Sequence, residues 1–249
     1  MLTIQDMTVT YREKRVLEKV SFSLRPCEFT IVLGANGTGK SSLLKAVSGL
    51  IPSLGSIRWD DGAEQSRNPS IAYMPQDTGG TSSLTVMEVI LLGRLQSLGL
   101  SIPKDLLDEA YNNLKTFGLE SLSIRTLDEL SGGQRQLVYL AQALFRLPEV
   151  LLLDEPTAAL DLRHQLIVLD KVSKYCKNNK TITVAAMHDI SLAGRYADRL
   201  ICLKNGKIIA DGSPKKVLSQ SLIQDLYGVQ ADLMDGGNGT LHITPLYAV

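Results

Sequence analysis

The stretch from Gly34 to Ser42 most constrains what this chain can fold into. Its spacing, G-x-x-x-x-G-K-S, follows the apolar run Phe29–Leu33 and precedes an apolar helical face at Leu43–Val47. This order predicts a strand, a glycine-rich turn and a helix, in which backbone N–H groups surround an anion. Lys40 can then reach the terminal phosphates, and Ser41 can place its hydroxyl on Mg²⁺. An ordinary glycine-rich turn is the alternative, but motif and flanking elements together favour a nucleoside triphosphate site.

The bulk composition narrows the class of protein. The 249 residues are 44% hydrophobic and 21% charged, which is typical of a globular chain with a large core. The formal net charge is +0, so the overall charge does not predict a nucleic-acid partner. The three cysteines, Cys27, Cys176 and Cys202, are far apart and odd in number. This pattern favours buried thiols in a reducing compartment over a disulfide framework or a metal site.

No stretch of the sequence predicts direct insertion into a membrane. Residues 1–6 lack a basic segment followed by an apolar stretch, so we expect no signal peptide. The longest apolar runs, such as Val89–Leu92 and Val150–Leu153, are much too short to cross a bilayer. We therefore expect a cytoplasmic protein whose connection with a membrane goes through a partner.

Alternating and buried apolar runs predict strands on both sides of a long helical region. The predicted strands are Leu2–Tyr11, Val20–Leu24, Phe29–Leu33, Ser56–Trp59, Ile71–Met74, Val150–Leu153 and Thr181–Ala186, with Ile201–Lys204 and Lys207–Ile209 joined by a type I′ turn at Asn205-Gly206. Further turns are predicted at Asp60–Gly62 and Gly236–Gly239.

Capping signals predict the helices. One helix follows the phosphate loop and ends near Gly49, and two more begin at the capping boxes Thr85–Glu88 and Ser131–Gln134. Another runs from Pro103 to Gly118, and a further one runs from about Leu162 to Tyr175 with Asp161 as its N-cap. A short helix or two follow Pro214. The elements predict a single α/β domain. Residues 1–76 and 148–212 would form the nucleotide-binding core with its β subdomain, 77–147 an inserted helical subdomain, and 213–249 a C-terminal extension.

Two adjacent carboxylates, Asp154 and Glu155, follow the apolar strand Val150–Leu153. In a phosphate-loop protein such a strand usually lies beside the one that feeds the loop, so Asp154 can meet Mg²⁺ directly or through water. Glu155 can orient the attacking water and accept its proton, an effect of about 10²–10⁴-fold in rate. A buried strand with a solvated acidic end is the alternative, which the upstream phosphate loop disfavours.

Further motifs occur in a fixed order around this pair. Alone, Ser-Gly-Gly could be only a helix N-terminus, and the histidine after the Thr181–Ala186 strand could be structural. The ordered set comprises the phosphate loop, Gln76, Ser131-Gly132-Gly133-Gln134, Asp154-Glu155, Ala159-Leu160-Asp161 and His188. This set closely resembles the nucleotide-binding subunit of ABC transporters, and the resemblance covers nearly the whole chain. It implies a P-loop NTPase (RecA-like) core with an N-terminal antiparallel β subdomain and an inserted α-helical subdomain.

The resemblance also implies roles for individual residues around ATP. The nucleotide-binding residues would be Tyr11, Gly34, Ala35, Asn36, Gly37, Thr38, Gly39, Lys40, Ser41 and Ser42, and the Mg²⁺ ligands Ser41, Gln76 and Asp154. Tyr11 would stack on adenine, although it could also be a plain strand-edge tyrosine. Gln76 would touch Mg²⁺ and the lytic water, Glu155 would be the general base, and His188 would contact the γ-phosphate. Asp161 would communicate between two sites, cap a helix, or both.

The resemblance implies that two copies pair head to tail and that the signature residues Ser131, Gly132, Gly133 and Gln134 close on ATP bound to the partner. A serine and two glycines at a helix N-terminus present N–H groups and a positive dipole end to a γ-phosphate. The implied partners are a second copy of the chain, two transmembrane permease subunits and, indirectly, a solute-binding protein, with no nucleic acid. The implied location is the cytoplasmic face of the cell membrane.

Two residues depart from the family pattern. Cys27 stands where glycine is usual, which suggests a backbone conformation open to other residues and a small buried side chain. Ser42 stands where threonine is usual, but Ser41 is the expected metal ligand. Neither departure argues against activity.

Finer segments resemble one group of importers. Residues 83–94, 161–165 and 226–229 are similar to those of iron-chelate importer ATPases, the group that also serves haem and cobalamin. Import of zinc, manganese or molybdate is the alternative within transport. ABC ATPases of DNA repair or translation usually carry tandem domains or long coiled coils, and neither is evident. A small-molecule kinase would share the phosphate loop but not the Ser131–Gln134 signature.

Overall fold

The computed structural model describes residues 1–60, 67–76, 82–97, 99, 102–158, 160–236 and 241–249. The strands are β1 (Leu2–Tyr11), β2 (Lys14–Leu24), β3 (Phe29–Leu33), β4 (Leu54–Trp59), β5 (Ile71–Met74), β6 (Val150–Asp154), β7 (Ile182–Ala186), β8 (Arg199–Lys204), β9 (Lys207–Gly212), β10 (Val229–Asp235) and β11 (Leu241–Ala248). The α-helices are α1 (Lys40–Val47), α2 (Val86–Leu92), α3 (Lys104–Phe117), α4 (Gly132–Phe145), α5 (Leu162–Asn178), α6 (Ile190–Tyr196), α7 (Pro214–Val217) and α8 (Gln220–Tyr227), with 3₁₀ turns at Leu95–Ser97, Glu120–Leu122 and Leu127–Glu129.

A six-stranded sheet forms the centre, in the order β5-β6-β7-β3-β8-β9. Its first five strands are parallel and β9 is antiparallel to β8. Strands β3, β6 and β7 are fully buried, as expected for a parallel sheet covered on both faces. The expectation that β6 lies beside β3 is wrong, because β7 separates them. Ala186 of β7 pairs with both Val32 of β3 and Asp154 of β6.

An antiparallel sheet in the order β2-β1-β4 forms the N-terminal subdomain. Its buried face joins α1 and one side of the central sheet in one hydrophobic core, while the other side of the sheet packs with α2 to α6 in a second core. The three predicted strands of this region are present, but β2 begins at Lys14 instead of Val20 and β4 at Leu54 instead of Ser56. The predicted turn at Asp60–Gly62 lies largely outside the described residues. The α/β fold class with its β and helical subdomains is confirmed.

Helices α2, α3 and α4 occupy the chain between β5 and β6. The capping boxes at Thr85 and Ser131 are both present, and Gly118 caps the C-terminus of α3. Pro103 is the N-cap residue of α3 rather than part of its first turn. Helix α5 runs on to Asn178 instead of ending near Tyr175. The domain boundaries at 76/77, 147/148 and 212/213 stay predictions.

The β8–β9 hairpin turns at Asn205-Gly206, where both residues have positive φ, 49° and 74°, as a type I′ turn requires. The Gly206 carbonyl accepts a hydrogen bond from the Glu18 N–H at 2.9 Å. A Cβ on Gly206 would lie 2.5 Å from the Val16 carbonyl oxygen, so the backbone of this turn is in close contact with the backbone of β2. The tip of the core sheet therefore holds the β subdomain in place.

The C-terminal extension contains α7 and α8, as predicted after Pro214, and an antiparallel hairpin of β10 and β11 that the sequence patterns did not predict. The predicted turn at Gly236–Gly239 lies mostly outside the described residues. Among the described residues, no helix combines the length and the apolar character needed to cross a lipid bilayer.

The expectation for Cys27 is wrong. Its side chain is exposed, and its φ of 62° lies in the left-handed region that favours glycine. It sits in the tight turn between β2 and β3, where its N–H donates to the Thr181 carbonyl at 3.3 Å and its Sγ lies 4.0 Å from the Lys177 carbonyl oxygen. Cys176 and Cys202 are buried, as expected.

Candidate nucleotide site

A cavity of about 930 Å³ lies over the carboxyl ends of the central strands, where α/β sheets bind ligands. It is lined by Val16, Ala35, Asn36, Gly37, Gly39, Lys40, Ser41, Ser42, Gln76, Glu155, His188 and Tyr227. Two residues of the predicted loop, Gly34 and Thr38, are not among the residues that line the cavity. Thr38 Oγ1 donates to the Ala35 carbonyl at 2.9 Å, which closes the loop on itself.

The Lys40 ammonium lies inside the phosphate loop. Nζ donates to the carbonyl oxygens of Gly34 at 2.7 Å and Ala35 at 3.1 Å, and it lies 3.5 Å from His188 Nδ1. Burial lowers the pKa of Lys40, and the nearby charges of Glu155 and Asp154 oppose that shift. A cation held by two neutral carbonyls is suited to neutralise an incoming polyphosphate.

Asp154 is 2% exposed and connects the loop to the end of β6. Ser41 Oγ donates to Asp154 Oδ1 at 2.9 Å, and the Tyr73 hydroxyl donates to Oδ2 at 3.1 Å. Burial raises the pKa of Asp154, while these two hydrogen bonds favour its ionised form. The serine hydroxyl and the carboxylate are hard oxygen donors next to the phosphate loop, a set that suits Mg²⁺ shared with phosphate groups.

Glu155 lies at the meeting point of two other predicted site residues. Gln76 Nε2 donates to Glu155 Oε2 at 2.8 Å, and His188 Nε2 contacts Oε1. Glu155 has a φ of 51°, a strained conformation for a non-glycine residue, and its N–H donates to the Ala186 carbonyl at 3.1 Å. This turn directs the carboxylate into the cavity from the carboxyl end of β6.

The structure does not bring every predicted residue to this cavity. Ser131 to Gln134 form the N-terminus of α4, where Ser131 Oγ accepts from the Gln134 N–H at 3.2 Å. Asp161 caps α5, because its carboxylate accepts a hydrogen bond from the His164 N–H at 2.8 Å. This backbone bond lowers the pKa of Asp161 most, and a bond from the His164 side chain lowers it further. Tyr11 ends β1 with 46% of its surface exposed and is not part of the cavity lining. Ala159 lies outside the described residues.

Four further residues contact the site that sequence reasoning did not assign to it. Val16 and Tyr227 line the cavity, Tyr73 binds Asp154, and Gln136 Nε2 donates to the Glu155 carbonyl at 2.9 Å. Gln136 alone carried a local signal, because it stands two residues after the signature. The others come from distant segments, and no spacing in the sequence connects them to the loop.

Comparison with known proteins identifies the family. The family model described as ABC transporter matches residues 17–158. The hemin import ATP-binding protein HmuV of Plesiomonas shigelloides is 34% identical over 266 residues, covering 97% of this chain and 100% of the relative. The ferric enterobactin transport ATP-binding protein FepC of Escherichia coli (strain K12) is 32% identical over 252 residues, covering 97% and 93%.

Solved structures agree with the sequence comparison. An inward-facing ABC transporter assigned to the metal-chelate type superimposes with a TM-score of 0.83 and 26% identity, covering 99% of this chain and 97% of the other. A dimeric ATP-binding cassette with ADP and Pi bound superimposes with a TM-score of 0.76 and 26% identity, covering 86% and 99%. The chain belongs to the ABC transporter family, and it is an ATP hydrolase of that type.

Proposed function

We propose that this chain is the ATP-hydrolysing subunit of a membrane importer for an iron-chelate type of solute, such as a siderophore complex, haem or cobalamin. The observation that carries the ATPase role is the convergence of Lys40, Gln76, Glu155 and His188 on one cavity. The similarity to HmuV and FepC, which extends over nearly the whole chain, supports the class of solute. Import of a metal ion or molybdate is the alternative within transport.

Glu155 would act as the general base. It is 8% exposed, and its carboxylate accepts from Gln76 Nε2, so a water held by the Gln76 amide oxygen would lie within reach of the base. His188 contacts both Glu155 and Lys40, and these contacts support a role for it beside a γ-phosphate bound to the loop. Lys40 would stabilise the charge that develops on the transferred phosphoryl group.

Mg²⁺ would be held by Ser41, Asp154 and Gln76. The Ser41–Asp154 hydrogen bond already brings two of these oxygen donors together. Gln76 bonds Glu155 through its amide nitrogen, so that bond does not occupy its amide oxygen. When bound, the ion would neutralise charge on the β- and γ-phosphates. The chain's own contribution is to hold the oxygen donors in place.

A second copy would complete the site. In the described residues, the N-terminus of α4 lies outside the chain's own cavity, so those N–H groups of its first turn that Ser131 does not cap would be available to a γ-phosphate held by a partner. Asp161 would lie near the same junction. Since ATP would then form part of the dimer interface, hydrolysis would remove contacts that hold the dimer shut.

The predicted membrane partners are two permease subunits, which would hold the dimer at the cytoplasmic face of the membrane and receive solute from a solute-binding protein. Affinity capture of tagged Glu155→Gln protein from gently solubilised membranes with ATP present tests this. Recovery of a polytopic membrane protein supports the importer role. Recovery of ribosomes or DNA-repair proteins instead would support a non-transport ABC ATPase.

A further inference from the structure

The C-terminal extension contacts the phosphate loop through one side chain. Tyr227, the last residue of α8, lines the nucleotide cavity, and its hydroxyl oxygen accepts a hydrogen bond from the Gly34 N–H at 3.2 Å. Burial raises the pKa of Tyr227, so the hydroxyl stays neutral throughout the physiological range. Residues more than 190 positions apart therefore meet at the first residue of the loop motif.

Gly34 has close contacts at its N–H, its carbonyl and its Cα. Its N–H donates to Tyr227, its carbonyl accepts from Lys40 Nζ at 2.7 Å, and a Cβ at this position would lie 2.5 Å from the Leu203 carbonyl oxygen. The Tyr227 hydroxyl is thus separated from the ammonium of Lys40 by a single residue. A displacement of Gly34 would move the carbonyl that accepts from Lys40.

The same extension also holds α6, the helix that follows His188. Ser191 Oγ donates to the Ile243 carbonyl of β11 at 3.3 Å. Gly194 lies against Leu218 and Ile243, where an added Cβ would meet their methyl groups at 3.3 Å and 3.8 Å. One small unit therefore touches both the phosphate loop and the helix behind the histidine.

We propose that Tyr227 is a positioning residue of the nucleotide site, through which the C-terminal extension sets the affinity of the phosphate loop for nucleotide. The hydroxyl holds the N–H of Gly34, and the carbonyl of Gly34 in turn helps to hold the ammonium of Lys40. The inference rests on nucleotide binding at this loop. It gives residues 213–249 a role in ATP binding rather than in packing alone.

Tyr227→Phe tests the proposal, because it keeps the ring in place and removes only the hydroxyl. We expect the Kd for Mg-ADP and the KM for ATP to rise by about two- to tenfold, the loss expected for one hydrogen bond. The kcat at saturating ATP should stay within about twofold of wild type, since Tyr227 touches neither Glu155 nor Gln76. Titration calorimetry and a steady-state ATPase assay measure these quantities, and circular dichroism checks the fold.

Tyr175→Phe is the matched control. The Tyr175 hydroxyl donates to the Leu144 carbonyl at 3.3 Å, burial raises its pKa to about 12, and the residue lies outside the cavity lining. This variant should lose stability without any change in Kd for nucleotide. An unchanged Kd in Tyr227→Phe, or equal changes in Kd in both variants, would overturn the proposal. If wild type itself failed to bind Mg-ADP, the proposed function would fail instead.

Discussion

The side-chain amide of Gln136 donates a hydrogen bond to the backbone carbonyl of Glu155 at 2.9 Å, and Gln136 is only 2% exposed. The bond joins α4, the helix that begins at the signature, to the peptide that turns the Glu155 carboxylate into the cavity. Because Glu155 has a positive φ, this peptide needs support from its surroundings.

Gln136→Ala should lower kcat for ATP more than it changes KM. Removing the amide leaves the Glu155 carbonyl without this donor, at a cost of about 1–3 kcal/mol in the free energy of unfolding. The control is Gln142→Ala on the same helix, whose Nε2 donates to the Val89 carbonyl at 2.8 Å. The control should lose similar stability but keep kcat, as steady-state kinetics and denaturant unfolding will measure. Equal kcat values for the two variants would exclude a positioning role for Gln136.

Glu155→Gln should nearly abolish turnover while ATP binding persists. The amide keeps the shape of the side chain but cannot accept a proton, so kcat should fall by about 10²–10⁴-fold. The Kd for ATP should stay within about threefold, since Lys40 and the loop are unchanged. Glu109→Gln, which alters an exposed carboxylate 2.5 Å from Arg94, should leave both quantities unchanged. Hydrolysis at the wild-type rate would refute the general-base role.

Lys40→Ala should weaken nucleotide binding. The ammonium would face the terminal phosphates, and hydrogen bonds to charged groups are worth about 1.5–3 kcal/mol, so the Kd for ATP should rise by about 10–100-fold. Titration calorimetry measures this directly, with Lys115→Ala on α3 as a control that keeps wild-type affinity. An unchanged Kd in Lys40→Ala would count against the phosphate-loop assignment.

The Asp161 cap should give stability that depends on pH. Its pKa is lowered from 3.8 in the folded chain, so its contribution is fully present above that value and is lost as pH falls through the lower, folded pKa. The difference in Tm between wild type and Asp161→Asn should therefore be largest above about pH 5 and should shrink towards about pH 3. Asp108→Asn on α3 serves as the reference variant. A difference in Tm that stays constant over this range would show that the charge does not matter.

Features encoded by neighbouring residues were predictable from the sequence. The strand, loop and helix around Lys40, both capping boxes and the Asn205-Gly206 turn each follow from local spacing and backbone preference. The position of β7 between β3 and β6 was not predictable in this way, since sheet order depends on contacts between distant segments. The same reason explains Tyr227, which reaches Gly34 from a helix near the end of the chain. Cys27 shows the converse, because it adopts a left-handed conformation in the β2–β3 turn that a non-glycine side chain disfavours.

The turn at Gly206 has a consequence for the size of the nucleotide cavity. Val16 forms part of the cavity wall, and the Val16 carbonyl stops 2.5 Å from the place where any side chain at position 206 would begin. The tip of the β8–β9 hairpin therefore limits how closely the β2 wall of the cavity can approach the central sheet. A side chain at position 206 would push against the Val16 backbone, so Gly206→Ala would displace the part of β2 that lines the nucleotide cavity.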